Sequence, residues 1–248
     1  MVKGLDTFQK YFADYEEQYV LIGGAACDIL FESNEVNFRA TRDLDMVLIV
    51  EALTPEFGEK FWKFIVDGKY RNKATNGSNP QFYRFDKPED DNFPKMIELF
   101  CRSDFKLKDA KGITPIHIDE EVSSLSAILL NDDYYKALLN GKEVRKGLSV
   151  LRPEYIILFK AKAYLDLKKQ KDLGEKVDSS DIKKHKKDVL RIASELMLEK
   201  VEELPIAVDA DIHSFIDLLE QEPFDQNSLK RFGLKNEDVV EVLKQVFG

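Results

Sequence analysis

The chain of 248 residues is 44% apolar and 33% charged, with 12 Gly and 8 Pro, which is enough apolar material for a sizeable core and too few breakers for disorder. No run approaches the roughly 18 apolar residues that a membrane span takes, and the start, Met1-Val-Lys-Gly-Leu-Asp-Thr-Phe, lacks the apolar stretch of a secretory leader. Membrane insertion and export are therefore not expected, the cytoplasm is the expected location, and a net charge of -9 excludes a protein that coats nucleic acid along its whole surface.

In chain order, Leu5, Phe8, Phe12 and Tyr15 recur at helical spacing, and Tyr19-Val-Leu-Ile22 is a short apolar run that stops at Gly23-Gly24. This predicts a helix, a buried strand and a glycine turn. A helix over Ala25 to Phe31 leaves that turn, Met46 to Val50 reads as a second buried strand, and Pro55 opens a helix through Val66. The stretch from Asp67 to Pro80 reads as an exposed loop, Phe82 to Phe85 and Met96 to Phe100 as strands, and Ile116 to Ile118, Leu125 to Leu130 and Leu148 to Leu151 as weaker strands. After Pro153 the period becomes helical, with segments from Glu154 to about Lys171, Asp181 to about Leu198, Ile206 to Glu220 and Asn236 to Phe247. Ser180 or Asp181 is the expected N-cap of the second of these. The expected fold is α+β: a mixed α/β domain over 1–152 followed by an α-helical domain over 153–248.

Charge is unevenly distributed. Lys160 to Lys187 holds ten lysines against five acids, while Glu195 to Gly248 holds thirteen acids against five basic residues. A basic strip inside an acidic body guides a polyphosphate to one place, although a solvated helix face is the simpler account of it. Cys27 and Cys101 have apolar neighbours and read as core residues.

The chemistry concentrates in Asp43-Leu-Asp45, because carboxylates two apart on a strand share a face and can hold a divalent cation. Glu98 stands on the opposite face from Ile97 and Leu99, so all three acids converge if the two strands are neighbours. Gly23-Gly24, between strand and helix, supplies backbone N–H groups and a helix N-terminus for an anionic phosphate. Each feature has a plainer account as a turn, a cap or a solvated strand edge. The histidines at 117, 185 and 213 lack paired spacing, Phe61 and Trp62 read as core, and no phosphate loop or nucleophile elbow is present.

The order Ile22-Gly23-Gly24, Asp43-Leu44-Asp45, then Glu98 resembles the nucleotidyltransferase superfold related to polymerase beta. Arg152 to Asp166 and Asp181 to Ile192 look like helical motifs of the abortive-infection AbiEii/AbiGii toxin-type nucleotidyltransferases. The resemblance spans roughly residues 19 to 192, and it implies a helix lysine at Lys162 or Lys160 and a later pair at Lys184 and Asp188. Two residues apart on a helix, Lys160 and Lys162 point about 200° from each other, so at most one faces a common site; Lys162 is preferred. Eighteen residues separate Gly24 from Asp43, a longer gap than usual, with Asn34, Asn37 and Arg39 inside it, and His185 stands where many relatives carry an acid.

The resemblance implies transfer of an NMP from an NTP to a hydroxyl acceptor. Asp43, Asp45 and Glu98 would hold Mg2+ or Mn2+, and Gly23, Gly24, Lys160 and Lys184 would bind the nucleotide. Lys162 and Lys184 would offset charge on the leaving pyrophosphate, and Asp188 would orient a lysine or the acceptor. It further implies RNA, tRNA in particular, as acceptor and an antitoxin protein as partner. A small-molecule or protein acceptor, and a non-catalytic nucleotide-binding module, are the competing expectations.

Overall fold

The computed structural model describes residues 2–33, 43–72, 82–101, 128 and 131–248. Two compact units emerge: one comprises 1–130 and 142–152, the other 131–141 and 153–248. Among the described residues the fold is α+β, with no helix long and apolar enough to cross a membrane.

The first unit is built on a seven-stranded mixed sheet in the order β3-β4-β5-β2-β1-β7-β6. Its strands are β1 (Tyr19–Ile22), β2 (Asp43–Leu48), β3 (Arg71–Asn72), β4 (Phe82–Asp86), β5 (Met96–Cys101), β6 (Lys142–Arg145) and β7 (Leu148–Leu151). All four residues of β1 are buried, as a strand with neighbours on both sides requires. It runs antiparallel to β2 and parallel to β7, and β2 in turn runs parallel to β5. The β6–β7 hairpin turns through Lys146 and Gly147, both at positive φ, a backbone shape that suits tight hairpins.

Among the described residues this unit carries the helices α1 (Leu5–Phe12), α2 (Gly23–Ser33) and α3 (Pro55–Asp67). Thr54 caps α3, its hydroxyl accepting from the Phe57 N–H at 3.3 Å, and Pro55 sits where a missing N–H costs nothing. One face of the sheet is covered by aromatic rings: Phe8 and Phe12 of α1 lie 5.5 and 6.3 Å from Tyr19, and Phe61 of α3 lies 5.5 Å from Phe85. Half-buried Trp62 stands edge-on to Phe61 and Phe85, and Cys27 and Cys101 are buried. Strand alternation then sends Asp43 and Asp45 to the face opposite Leu44 and Met46.

The second unit is helical: α4 (Asp132–Gly141), α5 (Pro153–Asp172), α6 (Ser179–Glu195), α7 (Ile206–Gln221), α8 (Gln226–Phe232) and α9 (Asn236–Phe247). Helix α4 was not expected; the Asn131 side chain opens it by accepting from the Asp133 N–H at 2.9 Å. The N-cap of α6 is Asp178, accepting from the Ser180 N–H at 2.8 Å, in place of the expected Ser180 or Asp181. Its extended φ and ψ and its short carboxylate satisfy an N-terminal donor that neither later residue, already inside the helix, is placed to reach. Strands β3 and β6 and helix α8 are further elements the periodicity did not indicate. The strand expected over 116–118 lies outside the described residues, as does that over 125–130 apart from Ile128, which is buried and helical. Asn34, Asn37, Arg39 and His117 also lie outside them.

Candidate functional site

Gly23 connects β1 to α2 with no intervening loop, and its φ of +62° lies in the left-handed region that favours glycine. A second constraint fixes the same residue: a Cβ built there would overlap the Asp45 carboxylate, because Ile22 and Asp45 are cross-strand partners. The Asp45 carboxylate therefore packs directly on the backbone where α2 begins. No acidic side chain occupies the first turn of α2, and Gly24 is buried beneath it. This is the positive end of an eleven-residue helix, where backbone N–H groups favour an anion.

Strands β2 and β5 are neighbours, and their parallel register sets Asp45 opposite Glu98 and Asp43 opposite Met96. Antiparallel β4 continues the row by placing Arg84 opposite Glu98. Asp45, Glu98 and Arg84 thus form a charged row across three strands spaced about 4.8 Å apart. Glu98 is only 7% exposed, and Arg84 compensates its burial. The guanidinium donates twice to Glu98 Oε1, from Nε at 2.6 Å and from Nη2. Among the described residues no three acidic, histidine or cysteine side chains converge closely enough to hold an ion as they stand, since Glu98 is turned to Arg84. The donor set itself is chemically apt: carboxylate oxygens are the ligands that magnesium prefers.

Arg84 was absent from the sequence-derived candidates. Its signal was available, since a guanidinium inside the aromatic strand Phe82-Tyr-Arg-Phe needs an anionic partner, and Glu98 was the strand acid in want of one.

In the helical unit, the two lysines two residues apart on α5 do point apart. Lys160, buried, meets the buried Asp188 of α6 at 2.9 Å. Lys162 bridges Asp166 on its own helix at 3.0 Å and Asp211 on α7 at 3.3 Å, and the Tyr134 hydroxyl of α4 donates to that same Asp211 at 3.0 Å. Burial pulls the Lys162 ammonium down, but its hydrogen bonds and attraction to Asp166 and Asp211 outweigh this and hold it above the ordinary lysine value. Burial, with the Asp211 carboxylate beside it, pushes the Tyr134 phenol strongly up. Asp188 therefore pairs with Lys160 rather than with the preferred Lys162. Lys184, on α6, is exposed. His185 is half-buried and the exposed His213 ring lies 2.9 Å from the Asp209 carbonyl.

No family model matches the chain, and no curated protein does. Among solved structures it is similar to an antigenic nucleotidyltransferase-like protein from Paracoccidioides brasiliensis, with 15% identity, a TM-score of 0.45, and coverage of 98% of this chain and 93% of that chain.

Proposed function

We propose that the protein is a nucleotidyltransferase that moves an NMP from an NTP to a hydroxyl acceptor. The observation that carries this reading is the packing of the Asp45 carboxylate on Gly23 at the start of α2, with Glu98 in register beside it. A phosphate held by the N–H groups of Gly24 and the first turn of α2 then lies next to a carboxylate, an arrangement of two anions that only a cation makes favourable.

Asp43 and Asp45 are the residues proposed to hold magnesium, which when bound supplies Lewis-acid polarisation of the phosphate and lowers the pKa of the attacking hydroxyl. Gly23 keeps the strand-to-helix turn open to the phosphate, since any side chain there would displace Asp45. Glu98, fixed on the adjoining strand, is the proposed further metal ligand or proton acceptor.

RNA, tRNA in particular, is the proposed acceptor, as the AbiEii-type resemblance implies. The exposed lysines 169, 171, 176, 183, 184 and 187 support it, because they form a lysine-rich stretch that suits a phosphate backbone. Lys184 is the proposed phosphate contact of that stretch. A toxin paired with an antitoxin protein is the corresponding biological proposal, and growth arrest on expression tests it.

Incubation with each α-labelled NTP, magnesium and total RNA tests the chemistry, with Asp43→Ala as the control. Label in RNA that disappears in the variant is the expected result; label in protein alone moves the acceptor. No label in RNA or protein, from a protein that still binds NTP, overturns RNA transfer and leaves a small-molecule acceptor or a nucleotide-binding module.

A further inference from the structure

The carboxylate row carries a device that the transferase reading does not itself require. Glu98 spends Oε1 on both guanidinium donors of Arg84, and among the described residues Oε2 has no hydrogen bond. The neighbouring carboxylate in the row, Asp45, lies against the helix N-terminus. Arg84 thus stands on the far side of Glu98 from Asp45, its side chain 28% exposed while that of Glu98 is 10% exposed.

Resting on the reading above, we propose that Arg84 is a positioning residue that exchanges ion-pair partners with the incoming metal–nucleotide complex. In the resting protein Arg84 and Glu98 satisfy each other. A divalent cation at Asp43 and Asp45 offers Glu98 a new cationic partner, and the triphosphate offers Arg84 a new anionic one. Cation alone leaves the guanidinium without an anion; nucleotide alone leaves the carboxylate without a cation. Each ligand by itself must break the pair without replacing both halves, so the two bind cooperatively. The partial exposure of Arg84 lets its guanidinium turn to a solvent-borne phosphate, and the burial of Glu98 keeps its carboxylate beside Asp45. Bond making and breaking here is confined to hydrogen bonds and ion pairs, and no covalent change is involved.

Binding of Mn2+ to the full chain, followed by its paramagnetic resonance signal with and without a non-hydrolysable α,β-methylene ATP, tests this without any turnover. In the wild type the nucleotide analogue should tighten Mn2+ binding about tenfold or more. Arg84→Gln should bind Mn2+ alone about tenfold more tightly and should lose most of that coupling. The gain must vanish when Arg84→Gln is placed in a Glu98→Gln background. If it persists there, removal of a nearby positive charge explains it and partner exchange is overturned. An unchanged Mn2+ affinity in Arg84→Gln overturns it equally. Should Arg84→Gln fail to fold, Arg84→Lys, which keeps a cation, is read in the same two backgrounds and should give about a threefold gain only where Glu98 is present. The transferase reading fails separately: Mn2+ that binds no more tightly to the wild type than to Asp45→Asn, with or without the analogue, removes the metal site itself.

Discussion

In the helical unit carboxylates meet lysines: the buried Asp188 meets Lys160, the half-buried Asp166 and Asp211 share Lys162, and the exposed Glu222 meets Lys168 at 2.5 Å. On the sheet of the other unit, Asp43, Asp45 and Glu98 lie on one face, and the guanidinium of Arg84 goes to Glu98. The buried Lys160–Asp188 pair joins α5 to α6 with matched charge, which is how a fold holds buried ions at least cost. On the sheet, Asp45 and Glu98 stand side by side in register, two like charges on neighbouring strands, with Arg84 paired to the second. The lesson is that a matched buried pair between helices marks packing, whereas carboxylates set side by side on neighbouring strands suit a cation.

The sharpest way to break this comparison is to unmatch a helical pair. Asp188→Ala leaves the Lys160 ammonium buried without its carboxylate, and should cost about 3–5 kcal/mol in a denaturant titration. The double change Lys160→Met with Asp188→Leu should recover most of that loss. A loss as large in the double variant would show that the pair is not simply structural. On the sheet, Gly23→Ala should cost about 1–2 kcal/mol from its left-handed backbone, with the overlap on Asp45 added to that. Its NTP affinity, measured by calorimetry, should fall with it.

Asp45→Asn separates the two regions most clearly. It removes one of two adjacent carboxylate charges, so thermal unfolding should show stability changed by no more than about 1 kcal/mol, while label transfer is lost. A protein that is strongly destabilised by this change would place Asp45 among the structural pairs instead. The smallest effect concerns pH. Lys162 is held above its ordinary value of 10.5, so its contribution to stability is complete below that value and is lost as pH rises through the elevated one. Lys162→Met should therefore flatten the alkaline limb of the stability profile and leave the neutral plateau nearly level. Glu222 works the other way: the Lys168 hydrogen bond holds its carboxyl below the ordinary range, so its contribution fades as the solution is acidified through that lowered value.

Much of the architecture was written in apolar spacing. Tyr19 to Ile22, stopping at two glycines, and the helical periods after Pro153 survive as β1, α2 and the long helices because local pattern and final burial agree there. Adjacency was less legible. Nothing in the spacing of Asp45 and Glu98 says that their strands run side by side, since parallel neighbours are joined through a long crossover; only the condition was readable. Which lysine meets Asp188 was also beyond spacing, because the choice between Lys160 and Lys162 depends on the rotation of α5 against α6. Helix α4 was overlooked although Tyr134, Tyr135 and Leu138 form its buried stripe and Asn131 its opening signal. The short helix α8 offered too few residues for a period.

The β6–β7 hairpin interrupts the helical unit, falling between α4 and α5 in sequence while completing the sheet. A ribosome that has released residue 130 has therefore made β1 to β5 and still owes β1 its outer neighbour, which arrives only with Val150 opposite Leu21. Until then the apolar strand leading into Gly23 presents an unpaired edge, the form of strand most prone to sticking to another chain. A fragment ended at 130 should accordingly aggregate, and one extended to 152 gains the hairpin at the cost of carrying α4 without the helices that cover it.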